Sequence, residues 1–579
     1  MSNGINKTIL SRGYFPKELP PAFNTLSFAD FATSAIGRKA IEQYKPADMY
    51  TECCEFKVAR TGDESRDFKI PHPYHFARLT SLCSSNFKRL LRLAGGSPFA
   101  SSSPSYGTTN ARAIRPATLP GNLARDKALA RASSAYLLRT DVSHFYPSLY
   151  THAVGWAIDP KMRQKKYWKD IKLLGKRVDQ NLMDLDKKFS QGIPIGNDLS
   201  FLLAEIVLAA VDKTLKVEKD RCYRWFDDYE YSCSTEGEAL AFREQLETEL
   251  AKFRLRLNPR KTEILRLPSP SQEEWQGTLI SASQSGLNKE REMIKYFDIA
   301  FRLRTEFPNA PVLAFTLGVL YKLPRPSKRA GLVAESAITQ ALLCEPGSSQ
   351  KALSLLSYWK INGFDINTKL FGNTFSKLVM KSAKRGTHDL MWALAFCLDN
   401  SISLEEDASA KLKEVENDLV ALLALHMQRK RLLAGSFDRR SLAKRMKNAD
   451  LDREHWLLCY ESARHGFLPS AKAPVMANQL FSAMLTAKVS FYQIPISSYS
   501  YVVAPGCAPE WIIRSWLREA QEKQPRETDH LPRDLRKVIE ASLVSKEGRN
   551  VSPSEFRNFL RLHDLHHEPE AGVDDEIYA

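Results

Sequence analysis

Residues 221–233 read RCYRWFDDYEYSC, two short runs rich in aromatic side chains that enclose the acidic pair Asp227 and Asp228. After the pair, aromatic residues and Cys233 alternate with polar residues, which is the period of a strand with one buried face. The stretch therefore predicts a β-hairpin that carries two carboxylates at its tip. Paired aspartates in a turn are ordinarily solvated, but a tip held between buried aromatic residues favours a functional site.

A second predicted strand, upstream of the hairpin, also ends in a carboxylate. Residues 136–147 read YLLRTDVSHFYP, so that Asp141 closes an apolar run and Tyr146 follows five positions later. Taken alone, an aspartate at a strand end is usually a turn residue or a helix cap. Three carboxylates from two neighbouring strands, however, are the hard oxygen ligands that a two-metal phosphoryl-transfer site needs.

Two further stretches have the composition of ligand-binding turns. Residues 191–198 read QGIPIGND and precede a strongly apolar run predicted to be a helix from about Leu199. Glycines in such a turn let the backbone approach a ligand closely, although a tight loop before a core helix explains them equally well. Residues 257–262 read LNPRKT and place Lys261 at the start of a predicted strand.

Positive charge is concentrated near the first of these strands. The chain has a net charge of +16, and residues 86–139 contain nine Lys and Arg residues against the single acid Asp126. A basic segment of this kind suits a triphosphate or a nucleic-acid backbone, and a solvated basic surface is the alternative.

Composition excludes several classes of protein. The chain has 579 residues, of which 43% are hydrophobic and 26% charged, so it is globular, with room for several domains. Its longest apolar stretch is too short to cross a bilayer, and residues 1–10 lack the pattern of a secretory signal. Its nine cysteines include no C-x-x-C pair, which favours a reducing, cytoplasmic location.

The pattern along the chain predicts four parts. Residues 76–93 read as one helix, and Pro268-Ser269-Pro270-Ser271 reads as a linker before amphipathic segments such as that of Leu412, Val415, Leu419 and Leu422. Helix pairs in this number suggest an α-solenoid, with a plain irregular helical domain as the alternative. The predicted parts are an N-terminal segment (1–62), a mixed α/β domain (63–268), an α-helical repeat domain (285–500) and a C-terminal helical appendix and tail (501–579).

In their order, the four motifs resemble the palm of reverse transcriptases. The resemblance implies an α+β fold with right-hand fingers and palm, followed by an all-α helical-repeat, HEAT-like solenoid domain. It implies catalysis by Asp141, Asp227, Asp228 and Lys261, and two Mg²⁺ ions, or Mn²⁺, held by Asp141, Val142, Asp227 and Asp228. Nucleotide-binding residues implied by the resemblance are Tyr146, as the steric gate against ribose, with Gln191, Gly192, Arg112, Arg115, Arg125 and Arg131.

Within that family, residues 140–152 (TDVSHFYPSLYTH) and 191–196 resemble the abortive-infection, antiphage-defence reverse transcriptases of bacteria, of the AbiK kind. This resemblance implies a homo-oligomeric polymerase that uses deoxynucleoside triphosphates without a template. It also implies a single-stranded DNA product attached to a tyrosine hydroxyl. Tyr14, in an N-terminal segment expected to be flexible, is the candidate priming residue.

One departure and two alternatives bear on this hypothesis. Trp225 stands where the common motif has tyrosine, which bears on how a primer terminus is seated. A conventional reverse transcriptase, with RNA as template and partner, is the first alternative. A catalytically idle scaffold that binds nucleic acid or a phage protein is the second.

Overall fold

A computed structural model describes residues 2–493 apart from 62–64, 108–111, 119–121, 285, 322–325, 362, 383–386, 435–436 and 438. The C-terminal appendix predicted over 501–579 lies outside the described residues. In the described part of the chain, no helix is both long and apolar enough to cross a membrane.

The N-terminal part combines three helices with a β-hairpin. Its elements are α1 (Ser2–Arg12), α2 (Leu26–Thr33), α3 (Ala35–Gln43), β1 (Cys54–Ala59) and β2 (Ser65–Ile70). Strands β1 and β2 pair antiparallel, with Phe56 opposite Phe68. The predicted boundary between residues 62 and 63 is therefore wrong, because it divides one hairpin between two domains.

The central part is a mixed α/β unit around a small sheet. Its strands are β3 (Pro104–Tyr106), β4 (Ile114–Pro116), β5 (Tyr136–Asp141), β6 (Cys222–Trp225), β7 (Asp228–Cys233) and β8 (Glu263–Arg266). Its helices are α4 (Pro73–Ser85), α5 (Phe87–Ala94), α6 (Leu123–Ala130), α7 (Phe145–Ser148), α8 (Thr151–Ile158), α9 (Leu174–Asp184), α10 (Asp198–Asp212) and α11 (Glu236–Ala251). Four strands form one antiparallel sheet in the order β6-β7-β5-β8.

Helix α10 passes through the core of this unit. Asn197 caps its first turn by accepting a hydrogen bond from the Ser200 amide at 2.8 Å, and nearly all of its residues are buried. A helix that is apolar on all sides is stable only when protein surrounds it. The helix predicted from about Leu199 is thus confirmed.

The remainder of the described chain is helical. The helices are α12 (Glu274–Ser283), α13 (Glu290–Glu306), α14 (Val312–Leu320), α15 (Lys328–Cys344), α16 (Ser349–Ile361), α17 (Thr368–Ser382), α18 (Thr387–Asn400), α19 (Glu406–Lys411), α20 (Asp418–Arg429), α21 (Arg440–Lys447), α22 (Trp456–His465), α23 (Lys472–Ala477) and α24 (Gln479–Thr486). Even-numbered helices from α12 to α22 each contact the next even-numbered one, and odd-numbered helices from α13 to α19 do the same. The helices therefore stack in two rows.

Two predicted helices are interrupted. The helix predicted over 76–93 is two helices, because Asn86 leaves helical geometry at φ −115° between α4 and α5. The run Leu412, Val415, Leu419 and Leu422 is a short 3₁₀ helix followed by α20, because the side chain of Asn417 accepts from the amides of Leu419 and Val420 and starts a new helix.

The N-terminal part joins the helical region to the central unit. Phe491 packs on Phe15 at 5.6 Å between ring centroids, and Trp392 donates to the carbonyl of Glu18 at 2.7 Å. Asn417 donates to the carbonyl of Glu55 in β1 at 2.8 Å. One apolar cluster consequently runs from α1, through the sheet, to Tyr492.

Candidate active site

The central sheet brings the predicted aspartates to one end. Antiparallel pairing of β5 with β7 sets Asp141 directly opposite Asp228. Asp227 occupies the tip of the β6–β7 hairpin, and its carbonyl accepts a hydrogen bond from the Val142 amide at 3.2 Å. The hairpin and the convergence of the three acidic residues that the sequence predicted are both confirmed.

A buried polar cluster holds the hairpin tip. Phe226 has a positive φ of 50°, a conformation that costs free energy for a side chain of this size. Its amide donates to Ser102 Oγ at 2.9 Å, and its carbonyl accepts from Arg224 at 2.7 Å. Arg224 is fully buried and pairs with Glu205 at 3.0 Å and Asp212 at 2.8 Å. We call Ser102, Glu205, Asp212 and Arg224 the hairpin clamp.

The three carboxylates destabilise one another when all are charged. Desolvation by the surrounding protein, followed by repulsion from Asp227 and Asp141, raises the pKa of Asp228 to about 7, although Asp228 keeps access to solvent. Burial and the Asp141 charge likewise raise the pKa of Asp227. A site of this kind gains stability from any cation that binds it.

Lys261 supplies one such cation. Its Nζ lies 2.7 Å from Asp141 Oδ2, while 63% of its side chain remains exposed. Burial alone would lower its pKa, but the hydrogen bond to Asp141 and the charges of Asp228 and Asp227 raise it. Lys261 is therefore a protonated group with access to both the carboxylates and the solvent.

The donor set fits divalent metal ions. Asp141 Oδ1 is buried and has no hydrogen-bond partner, so the strand end carries an oxygen that only a ligand can satisfy. In the part of the chain that the structure describes, no three metal-ligating side chains enclose a common point, since Lys261 bonds to the other oxygen of Asp141. Metal binding by Asp141, Asp227 and Asp228 therefore requires competition with this ammonium group.

The glycine-rich turn lies against the segment after β5. Gly192 has φ +86°, and a Cβ atom at this position would lie 3.2 Å from the Pro147 carbonyl. Its amide donates to the Leu149 carbonyl at 2.9 Å, and the Ile193 amide donates to the Tyr146 carbonyl at 3.2 Å. Gln191 is exposed beside this contact. The structure thus brings Tyr146, Gln191 and Gly192 together, close to the aspartates: repulsion from Asp227 adds to the effect of burial in raising the Tyr146 pKa.

Two predicted phosphate ligands are structural instead. Arg112 bonds to Asp198 at 2.7 Å and to the carbonyls of Phe15 and Gly196. Arg131 is buried, bonds to Glu230 at 2.7 Å and donates to two carbonyls of the 268–271 linker. Guanidinium groups with these partners cannot also receive a triphosphate, so the prediction for Arg112 and Arg131 is wrong.

The other basic residues differ in their exposure. Arg125 is 66% exposed and lies 3.3 Å from its neighbour Asp126, whereas Arg115 is half-buried on β4. Sequence reasoning missed Arg66 on β2, whose charge opposes the burial-driven rise in the pKa of Asp227 and Tyr146. It was missed because the β1–β2 hairpin was not predicted, and no local motif marks the residue.

Tyr14 lies in the core and not in a flexible arm. Its ring stacks on Phe76 at 4.1 Å between centroids, its hydroxyl donates to the Pro71 carbonyl, and burial raises its pKa well above the usual value. The neighbouring Pro16 contacts Gly196, where a Cβ atom would come within 2.6 Å of the proline ring. The predicted flexibility of this segment is wrong, and the phenol has no solvent access from which to act as a nucleophile.

Comparison with known proteins identifies the central unit. Residues 71–297 match the family model described as "Reverse transcriptase (RNA-dependent DNA polymerase)". No curated protein matches the chain. Among solved structures, apo telomerase from Candida tropicalis aligns with 10% identity and a TM-score of 0.29, over 69% of this chain and 70% of that one.

The match encloses all four motifs and the aspartates at the sheet end. Residues 71–297 are thus a reverse transcriptase domain, and the protein is a nucleotidyltransferase of the RNA-directed DNA polymerase family. Polymerases of this family generally use divalent metal ions, in agreement with the donor set of Asp141, Asp227 and Asp228.

Proposed function

We propose that this protein is an antiphage-defence DNA polymerase of the abortive-infection reverse transcriptase kind. We propose further that it adds deoxynucleotides without a nucleic-acid template and begins on a protein hydroxyl. The observation that carries the polymerase assignment is the register that sets Asp141 opposite Asp228, with Asp227 at the adjacent tip. This is the arrangement that two-metal phosphoryl transfer requires.

Each residue near the tip has a distinct role in this proposal. Asp141, Asp227 and Asp228, with the Val142 main chain, would hold two Mg²⁺ or Mn²⁺ ions, which activate the attacking hydroxyl and neutralise the leaving pyrophosphate. Lys261 is placed to donate a proton to that leaving group. Tyr146 would exclude ribonucleotides by crowding their 2′-hydroxyl, and Gln191 would contact the incoming nucleotide.

Two features support synthesis of an unusual kind. Trp225, at the position usually held by tyrosine, packs with Leu123 and Tyr223 in a small separate cluster. Side chains of the protein itself thus surround the residue beside which a primer terminus is ordinarily seated. In addition, the two rows of helices contact β1 and the N-terminal part, and we propose that they form a HEAT-like solenoid that also mediates a homo-oligomer.

The priming hydroxyl in this proposal belongs to a tyrosine other than Tyr14. A phenol becomes a nucleophile once a metal or base removes its proton, and this requires access to the metal site. Tyr14 has no exposed surface and donates its proton to a backbone carbonyl of the core.

The test is to incubate the purified protein with Mg²⁺ and labelled deoxynucleotides in the absence of any nucleic acid. Label that migrates with the denatured wild-type protein, and not with Asp141→Asn, is the expected result. Tyr14→Phe should label as well as the wild type. Peptide mapping of the adduct would then identify the priming residue.

A conventional RNA-templated reverse transcriptase is the second candidate, favoured by the family model that matches residues 71–297. It predicts no labelled protein under these conditions and full activity after an annealed RNA template and DNA primer are added. That pair of results would overturn the untemplated, protein-primed proposal while leaving the polymerase assignment intact.

A further inference from the structure

A second concentration of positive charge lies between α8 and α9, outside the basic segment singled out from the sequence. Residues 159–177 contain eight Lys and Arg residues against two Asp residues. Six of the cations are exposed: Lys161, Lys165, Lys166, Lys169, Lys172 and Arg177. We call this stretch the basic strap.

The acidic residues of this region already have partners. Asp159 pairs with Arg89 at 2.5 Å and accepts from the Gly175 amide at 2.6 Å. Buried Asp179 bonds to His152 at 2.6 Å and to Lys176 at 3.2 Å. The charge of the strap is consequently directed outward, to an anionic partner.

Large apolar side chains are exposed among these cations. Trp168 is 57% exposed and Ile171 is 65% exposed, although both belong to residue types that usually pack inside. Lys166 lies over the ring of Tyr167 at 4.9 Å. Exposed aromatic rings between lysines are the features with which proteins bind single-stranded nucleic acids, by stacking bases and neutralising phosphates.

Alternating arginine and aromatic side chains connect the strap with the candidate active site. Tyr150 pairs with Gln191 and lies under Arg254 at 4.3 Å. Trp156 lies 5.7 Å from Tyr150 and 5.0 Å from Arg163, the strap residue nearest α8. The intervening α8 has eight residues and spans about 12 Å, so the series leads from the glycine-rich turn directly to the strap.

From this geometry we infer that the basic strap, with Trp168, is a binding site for single-stranded nucleic acid that receives the strand leaving the active site. The inference extends the proposed polymerase function, because it names the surface that holds the product. Single-stranded rather than duplex nucleic acid is the expected ligand, since stacking on Trp168 requires an unpaired base.

The experiment measures binding of a fluorescent single strand of about 20 thymidylates to the full-length chain in an Asp227→Asn background. Binding in this background does not depend on catalysis, so a failure of the proposed function and a failure of this inference give different results. The test variant carries Lys165→Gln, Lys166→Gln, Lys169→Gln and Lys172→Gln. The control carries the same charge change at four exposed lysines elsewhere, namely Lys39, Lys377, Lys444 and Lys472.

We expect the strap variant to bind at least about tenfold more weakly and to lose up to about three units of salt-dependence slope, at about 0.7 per phosphate contact. Trp168→Ala should weaken binding of the single strand about tenfold and leave duplex binding unchanged. With Asp227 restored, the strap variant should add the first nucleotide normally and make shorter products. Binding within twofold of the lysine control, or no binding by the unsubstituted strap, would overturn the inference.

Discussion

Lys261 and Asp141 form the ion pair on which the chemistry of the site depends. The Lys261 ammonium is mostly exposed and bonds to a carboxylate that metal ions also require. The same side chain is therefore both a competitor of the metal ions and the candidate proton donor.

For Lys261→Gln we expect opposite changes in metal binding and catalysis. Removal of the ammonium frees Asp141 Oδ2, so the variant should bind Mn²⁺ more tightly than the wild type. Loss of the proton donor should lower the maximal incorporation rate about 100-fold. Titration with Mn²⁺, followed by rate measurements at saturating metal, checks both parts. If affinity and rate both stay at the wild-type values, Lys261 has neither role.

His75 determines part of the stability of the fold in acid. Burial, aided by the charges of Arg78 and Lys188, lowers its pKa to about 3, and its Nδ1 is 2.9 Å from Thr51 Oγ1. Between that value and the ordinary pKa of about 6.5, the unfolded chain binds a proton that the folded chain does not. Stability from this group is complete above about pH 6.5 and is lost as the pH falls.

We therefore expect wild-type protein to lose about 1.4 kcal/mol per pH unit below about pH 6.5 through His75. His75→Gln lacks this contribution, so its thermal midpoint should approach that of the wild type as the pH is lowered from about 7.5 to about 5.5. Thermal unfolding at both pH values measures the difference. A constant gap between the two proteins would show that His75 stays neutral in both states.

At the scale of elements, the β6–β7 hairpin depends on residues far away in sequence. Ser102 is completely buried, accepts from the Phe226 amide and donates to Glu205 at 2.9 Å. These bonds hold a turn whose φ is unfavourable for phenylalanine, and that turn positions Asp227.

Ser102→Ala should lower the turnover rate about tenfold and leave the KM for deoxynucleotides unchanged. Its physical reason is the unsatisfied Phe226 amide, which costs about 1–3 kcal/mol and loosens the tip. Ser103→Ala is the matched control, because Ser103 bonds to the Ala100 carbonyl and not to the hairpin. Equal rates for the two alanine variants would remove the hairpin clamp from the account.

Local patterns predicted those elements whose boundaries depend on neighbouring residues. The alternation after Asp228 predicted β7, and Gly466, at φ 68°, ends α22 where a stop was expected. The interruption at Asn86 and the β1–β2 pairing were missed, because tertiary contacts decide both. The structural roles of Arg112 and Arg131 were missed for a related reason: their partners lie 84 to 139 residues away.

At the scale of the whole molecule, the helical region supports the active site through the N-terminal part. Phe491 is fully buried against Phe15 and Phe28, while Pro16 contacts Gly196 in the glycine-rich turn. Packing defects in the helical region should consequently reach the nucleotide-binding turn.

We expect Phe491→Ala to destabilise the chain by about 3–5 kcal/mol and to increase hydrogen exchange in residues 12–24 as well as around residue 491. Met476→Ala, at a position 52% exposed, is the control and should change neither. Hydrogen exchange followed by mass spectrometry resolves the two regions. Faster exchange confined to the helical region would mean that the N-terminal part does not transmit the change.

The central claim is that Asp141, Asp227 and Asp228 carry out nucleotidyl transfer, and one measurement tests it most directly. The rate of deoxynucleotide incorporation is compared between wild type and Asp227→Asn at saturating Mg²⁺ and again at saturating Mn²⁺. Asparagine preserves the shape of the hairpin tip and removes its charge, so the account predicts a loss of at least about 1,000-fold with either ion. Incorporation by a folded Asp227→Asn within tenfold of the wild-type rate would contradict it.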